Sequence, residues 1–185
     1  LLQVAIEKLV SVLRAEQIWV SSESEEVKTI SLELGVNFIN RERDLRGNKI
    51  RQEDLFKPFI SNTPLSELVA WVQVTDPLFD GFYEFLSYEP AEDEVYSVAT
   101  ALHKHAFFKD YPINFNFGKW HPVTQEIEPI IIPRWSAFLS RRTTFEENLY
   151  HFGKKNSFFL TEEQYVDIDY PEDFLLAQEL FAKKS

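Results

Sequence analysis

The chain contains no cysteine, which excludes a disulfide framework, a zinc–thiolate site and a cysteine nucleophile. It also contains no methionine, although ordinary usage would place a few in 185 residues. No uninterrupted apolar run approaches the ~20 residues of a membrane span. Leu1-Leu2-Gln3-Val4 opens directly into an amphipathic segment instead of a signal peptide. Basic residues are scarce: 19 Lys and Arg stand against 30 Asp and Glu, a net charge of −11. Nucleic acid and anionic membranes both demand a basic surface, so neither is expected as a partner. What is present is apolar bulk, 44% of the residues with 17 Phe, enough for one packed domain over residues 1–185. Cytoplasmic residence is the expectation.

The apolar periodicity alternates between two patterns. Leu2, Ile6, Leu9 and Leu13 recur at helical spacing, and Gln17-Ile18-Trp19-Val20 then reads as a buried strand. Ser24, followed by Glu25 and Glu26, is a helix cap and first turn; that helix carries Val27, Ile30, Leu32 and Leu34 and stops at Gly35. Val36 to Ile39 is a second strand, Asn40 to Gln52 a polar loop, and Glu53 to Ile60 a helix. Leu68 to Val74 is a third strand, followed by a helix over Phe79 to Leu86. Beyond it, strands are expected at Glu94 to Leu102, Glu128 to Ile132 and Ser157 to Leu160, with a helix over Thr143 to Phe152. Phe174, Ala177 and Phe181 line one face of a final helix. Strands alternating with helices at this pitch predict an α/β fold, a doubly wound, mostly parallel sheet. Ligands of such sheets bind beyond the carboxyl ends of the strands, where Ser21-Ser22-Glu23, Arg41 and Thr75-Asp76 fall.

The most informative stretch is Val166-Asp167-Ile168-Asp169-Tyr170-Pro171-Glu172-Asp173-Phe174. In extended backbone Asp167 and Asp169 project together while Ile168 turns inward. Pro171 suits the first turn of a helix, where its missing N–H costs nothing. Two hard oxygen ligands of this kind suit a magnesium ion that holds nucleotide phosphates. The same residues also read as solvated carboxylates that end a strand and favour the following helix through its dipole.

Read in order, the segments resemble the acylneuraminate cytidylyltransferase family, which makes CMP-activated nonulosonic acids. Ile18-Trp19-Val20-Ser21-Ser22-Glu23-Ser24-Glu25-Glu26-Val27 is similar to the family's V-S-T-D segment. Arg41-Glu42-Arg43-Asp44-Leu45 is similar to R-P-x-x-L, and Gln73-Val74-Thr75-Asp76-Pro77-Leu78 to Q-P-T-S-P-L. Asn156-Ser157-Phe158-Phe159-Leu160 stands where N-G-x-x-Y would be, and Val166 to Phe174 resembles D-I-D followed by E-D. The chain departs from the pattern at Val74, Asp76, Phe79 and Ser157, which replace proline, serine, a common arginine and glycine. The family also opens with a strand and a Gly/Arg/Lys-rich nucleotide loop. The resemblance therefore implies roughly 20–30 further N-terminal residues, a strand plus a loop, whose absence would leave two sheet neighbours without a ladder partner.

The resemblance implies transfer of CMP from CTP to an acidic sugar with release of pyrophosphate. It implies a Mg2+ ion on Asp167 and Asp169, a catalytic role for the same pair, and nucleotide contacts from Arg41 and Ser21. It implies sugar contacts from Gln73 and Asn156, and a guanidinium fork from Arg141 or Arg142 on the sugar carboxylate, with spacing that leans to Arg142. Asp76 reads either as a third carboxylate or as the cap of its turn, the latter preferred. His103 and His105 are read as solvent-facing or supporting residues, with no ligand motif beside them. A homodimer is expected through an insertion of about residues 103–133, rich in Phe107, Phe108, Phe115, Phe117 and Trp120. Two alternatives stay open: a cytidylyltransferase for another acid sugar (legionaminic, pseudaminic or deoxyoctulosonic), and a non-catalytic relative that binds nucleotide or sugar.

Overall fold

A computed structural model describes residues 1–41, 50–116 and 118–184. Chain order gives α1 (Leu2–Val10), β1 (Trp19–Ser22), α2 (Glu25–Glu33), β2 (Asn37–Asn40), α3 (Gln52–Asn62) and β3 (Leu68–Val72). It continues with α4 (Phe82–Leu86), β4 (Glu94–Leu102), β5 (Phe107–Phe108), β6 (Tyr111–Pro112), β7 (Ile130–Arg141), α5 (Arg142–Asn148), β8 (Lys155–Leu160) and α6 (Pro171–Lys184). The expected boundaries of α2 hold for local reasons. The Ser24 side chain accepts from the Val27 amide, and Gly35 supplies the left-handed residue (φ 75°) that lets the chain leave the helix.

The strands form an α/β architecture with a mixed sheet. β1 and β2 pair in parallel, and a four-stranded sheet has the order β3-β7-β4-β8. β4 and β8 are parallel, whereas β7 runs antiparallel to both β3 and β4. β3, β4 and β8 therefore run the same way, as a mostly parallel sheet requires, and β7 is the one reversed strand of the four. β7 was legible only as Glu128 to Ile132, because Pro133 and Arg134 interrupt its apolar pattern. Pro133 is accommodated at an irregularity in the β4–β7 ladder, where a missing N–H removes no regular bond. One edge of β1 and one edge of β3 carry no ladder partner among the described residues.

Alternation along β3 shows why helices cover both faces. Leu68 and Val72 pack into a core with Ile6 and Leu9 of α1, Phe82 and Phe85 of α4, and Val20 of β1. Val69 and Trp71 point to the other face, into a second core with Phe56 and Ile60 of α3 and Phe145 of α5. β1 and β3 thus share one core even though they are not hydrogen-bonded to each other.

Two helices are shorter than their patterns suggest. α4 starts at Phe82, not Phe79, because the turn before it is held from outside: Lys8 donates to the carbonyls of Pro77 and Phe79 (2.6 and 3.0 Å). α5 stops at Asn148 instead of reaching Phe152, since Leu149 is left-handed (φ 46°) and turns His151 into an aromatic cluster. The segment before β7 carries the small β5–β6 hairpin, tied down by Asn114, which donates to the Lys104 and Glu128 carbonyls and accepts from the Ala106 amide. Among the described residues, no helix is long and apolar enough to cross a membrane.

Candidate functional site

Asp167 and Asp169 lie in a loop, not at the end of a ladder strand, and the loop is strapped to the tip of β3. The Ile168 amide donates to the Thr75 carbonyl (3.0 Å), and the Asp169 amide donates back to the Asp167 carbonyl (3.1 Å). Val166 is buried and Ile168 partly so, both against Leu78 and Ala177 of the α6 core. The expected alternation survives in this form: the apolar residues turn inward while Asp167 is half-buried and Asp169 exposed. Asp173 secures the helix start by accepting from the amides of Asp169 and Tyr170 (3.2 and 2.9 Å), as an acidic residue in a first turn can.

Burial pushes the Asp167 carboxyl above its ordinary range, and the negative charges of Asp169 and Asp76 push it further. The hydroxyls of Thr75 and Tyr165 act the other way and favour its charged form. A partly desolvated carboxylate crowded by like charge is a place where a divalent cation would relieve repulsion. Two carboxylates suffice for Mg2+ when phosphate oxygens and water supply the remaining ligands, so the donor set fits that ion. No group of three or more His, Asp or Glu placed to hold a metal occurs among the described residues. A site made by protein side chains alone is therefore not what this geometry offers.

Asp76 is not a third ligand. It is buried, its Oδ1 accepts from the Leu78 amide (3.3 Å), and its Oδ2 accepts from Nη2 and Nε of Arg134 (2.7 and 3.2 Å) and from the Ser136 hydroxyl. The turn-capping reading holds, with a buried ion pair added that the sequence did not disclose.

Gln73 lies one residue beyond β3, half-buried, its backbone amide donating to the Ser136 carbonyl (2.9 Å). Its side-chain amide makes no hydrogen bond among the described residues, leaving it available to a ligand. Ser21 sits in β1 opposite Ile39. Arg41 follows β2 and donates through Nε to Glu23 (3.0 Å), while its amide donates to the Ser22 carbonyl (2.9 Å). Both therefore stand at the carboxyl ends of the parallel β1–β2 pair. Residues 42–49, with the rest of the R-x-x-x-L element, and Phe117 lie outside the described residues.

Arg142 and Asn156 are not brought to Asp167. Arg142 begins α5 at the far end of β7, where Arg141 pairs with Leu68 at the start of β3. Ser136, beside Gln73 and Asp76, is separated from it by most of a strand, roughly 20 Å at about 3.3 Å per residue. Its guanidinium is already committed: Nη2 donates to the Ile60 carbonyl and Nη1 to the Pro64 carbonyl (2.7 Å each), and Nε to Glu146 (2.7 Å). It satisfies the carbonyl end of α3, a structural task that the spacing could not reveal. An open hollow of about 550 Å3 beside it, lined in part by Lys57, Ser61 and Glu146, lies at the same remote end. Arg141, the other candidate fork, pairs with Glu67. Asn156 closes a turn by exchanging two 3.0 Å bonds with the backbone of Gly153, and its register with Val95 places it at that end too. Ser157 donates to Glu94, which also accepts from Tyr88 (2.8 Å). His103 and His105 each approach a backbone carbonyl, of Ile127 (3.3 Å) and Pro122 (2.9 Å), in keeping with supporting roles.

No family model matches the chain. It is 24% identical over 170 residues to an N-acylneuraminate cytidylyltransferase of Streptococcus agalactiae serotype III (strain NEM316), covering 86% of this chain and 41% of that protein. The enzyme of the same name from serotype V (strain ATCC BAA-611 / 2603 V/R) is 23% identical over the same length. The chain thus spans about two fifths of the length of the curated relatives it matches (41%). Among solved structures, a CMP:2-keto-3-deoxy-manno-octonic acid synthetase complexed with CTP superposes with a TM-score of 0.60 at 11% identity, over 100% of this chain and 88% of that one. HddC from Yersinia pseudotuberculosis gives 0.58 at 12% identity, over 97% and 84%. The chain therefore has the Rossmann-like α/β fold of these proteins, and its sequence resembles the acylneuraminate cytidylyltransferases.

Proposed function

We propose that the chain carries the cytidylyltransferase core of an enzyme that moves CMP from CTP to an acidic sugar of the nonulosonic type. The observation that carries the reading is the Asp167–Asp169 pair, strapped by Ile168 to the tip of β3 beside Thr75 and Gln73. In the reaction a sugar hydroxyl oxygen forms a bond to the α-phosphorus, the bond to pyrophosphate breaks, and the hydroxyl proton is released. Such transfer depends on positioning and charge neutralisation more than on covalent help from the protein. A magnesium ion, when bound, neutralises phosphate oxygens and stabilises the charge that develops on them. Asp167 and Asp169 are the residues that would hold it. Gln73 is assigned to the sugar through its unengaged amide. Arg41 and Ser21 are assigned to the nucleotide from their place at the carboxyl ends of the β1–β2 pair, where Nε and Nη2 of Arg41 are both held by Glu23. Neither Arg142 nor Asn156 keeps a substrate role.

Pyrophosphate release from CTP, measured with a panel of acidic sugars and Mg2+, is expected to rise above background with one of them. Legionaminic, pseudaminic and deoxyoctulosonic acids belong in the panel beside sialic acid. A protein spanning the full length of the relatives that binds CTP but releases no pyrophosphate with any sugar would instead be a non-catalytic relative. One observation favours that second reading: two of the expected substrate residues, Arg142 and Asn156, are committed to the protein's own backbone.

We assign the protein to the cytoplasm, where CTP is available, and to a homodimer. The hairpin segment exposes Phe108, Tyr111, Ile113, Trp120 and Val123, between 55% and 73% of each residue's surface. Aromatic residues at this density are characteristic of interface cores. Light scattering at micromolar concentration is expected to give twice the chain mass, and Trp120→Glu to return the monomer. A monomer before substitution would remove the assignment.

A further inference from the structure

We propose that the buried Asp76–Arg134 ion pair is a positioning device that sets the loop bearing Asp167, a role that rests on the metal-holding assignment of that residue. The side chains of Arg134 and Asp76 are both 0% exposed. A buried pair of this kind is seldom more stable than an apolar pair of the same volume, so stability alone does not account for it. Its geometry does.

The β4–β7 ladder pairs Ser97 with Phe138 and Ala99 with Pro133, so residues 134–137 of β7 stand opposite Val98 alone. This bulge turns Arg134 and Ser136 away from β4 and toward Asp76, the kind of re-aiming that bulges perform near sites. From there Arg134 joins three segments remote in sequence. It reaches Asp76 in the turn after β3, and it donates to the carbonyls of Glu163 (3.1 Å) and Gln164 (3.3 Å) in the loop that leads to Asp167. The Tyr165 ring lies over the guanidinium at 4.7 Å, and its hydroxyl accepts from the Trp135 amide (3.2 Å). Three successive residues, Glu163, Gln164 and Tyr165, are thus fixed to the bulge. Asp167 follows two residues later, with the hydroxyls of Tyr165 and Thr75 beside its carboxylate. Asp76 binds Arg134, Ser136 and the Leu78 amide at once, so the turn bearing Thr75 and the loop bearing Asp167 share one anchor. Arg134 is assigned no contact with nucleotide or sugar; it acts through the placement of Asp167.

The test is the double variant Asp76→Leu/Arg134→Met, which replaces the pair with apolar groups and leaves no buried charge unpaired. Its melting temperature is expected to stay within a few degrees of the parent, while the Ile168 amide exchanges with deuterium at least about tenfold faster. Affinity for Mn2+ in the presence of saturating CTP, followed by electron paramagnetic resonance, is expected to fall by about 10- to 100-fold, as for other groups that orient a ligand. A folded double variant with parental exchange at Ile168 and parental Mn2+ affinity overturns the proposal. Should the double variant not fold, Arg134→Lys serves instead. Lys keeps the charge but cannot bridge Asp76 and two carbonyls, and the same pair of measurements decides. The metal assignment is judged separately, by Asp169→Asn in the parent. If that substitution leaves Mn2+ affinity unchanged, the metal reading fails, while exchange at Ile168 still decides whether Arg134 holds the loop.

Discussion

Asp169→Asn is expected to lower cytidylyl transfer at least about 100-fold, the scale of removing one preorganised electrostatic group, and to leave folding untouched. The separation follows from where the residue sits. Asp169 is exposed, and the bonds that fix this stretch use its backbone amide, not its carboxylate. Asparagine preserves the shape and the amide while removing the charge that a hard cation requires. Steady-state pyrophosphate release gives the first quantity. Thermal unfolding gives the second, with an expected change within about 0.5 kcal/mol, as for other surface substitutions. A variant that turns over within threefold of the parent would end the catalytic assignment of the pair.

The second large effect concerns acid stability. His151 is 1% exposed, and neither ring nitrogen has a hydrogen-bond partner among the described residues. Its ring is enclosed by Phe56, Trp71, Trp135, Phe138 and Tyr150. Burial among these rings lowers its pKa from 6.5 to about 4. Above pH 6.5 the imidazole is neutral in both folded and unfolded chains and stability does not depend on it. Between pH 6.5 and about 4 the unfolded chain takes up a proton that the folded one refuses, so stability falls as the pH falls. The loss levels off below about pH 4 and amounts in total to roughly 3 kcal/mol, at about 1.4 kcal/mol per pH unit. Urea unfolding at pH 7 and pH 5 is expected to show about 2 kcal/mol of this difference in the parent. His151→Phe is expected to remove that portion, and an unchanged pH difference in the variant would show that other groups set the acid response.

What was legible in the sequence was largely local. Ser24, Gly35 and Pro171 announce helix ends because capping, a left-handed residue and a missing N–H act on near neighbours. Val166 and Ile168 turn inward between outward carboxylates because side-chain alternation is a property of extended chain itself, with or without a ladder. By contrast, β7 was half-hidden because Pro133 and Arg134 break its apolar pattern for a reason that exists only at the bulge. The substitution of Asp76 into a family position for serine was visible. Its partner 58 residues away was not, since nothing local marks Arg134 as buried. Arg142 misled for the opposite reason, for an arginine at a plausible spacing does not disclose that three of its donors end on Ile60, Pro64 and Glu146.

By itself, then, the sequence determined the alternation of helices and strands, the absence of thiol chemistry, the acidic surface and the resemblance carried by Asp167 to Asp173. Each of these follows from residue type and spacing over a few positions. The tertiary structure alone decided that β7 runs antiparallel between β3 and β4, that Arg142 and Asn156 stand at the far end of the sheet, and that one buried ion pair holds the carboxylate loop. Those outcomes depend on which distant segments meet, and it is burial of shared apolar surface, not local preference, that selects the meeting.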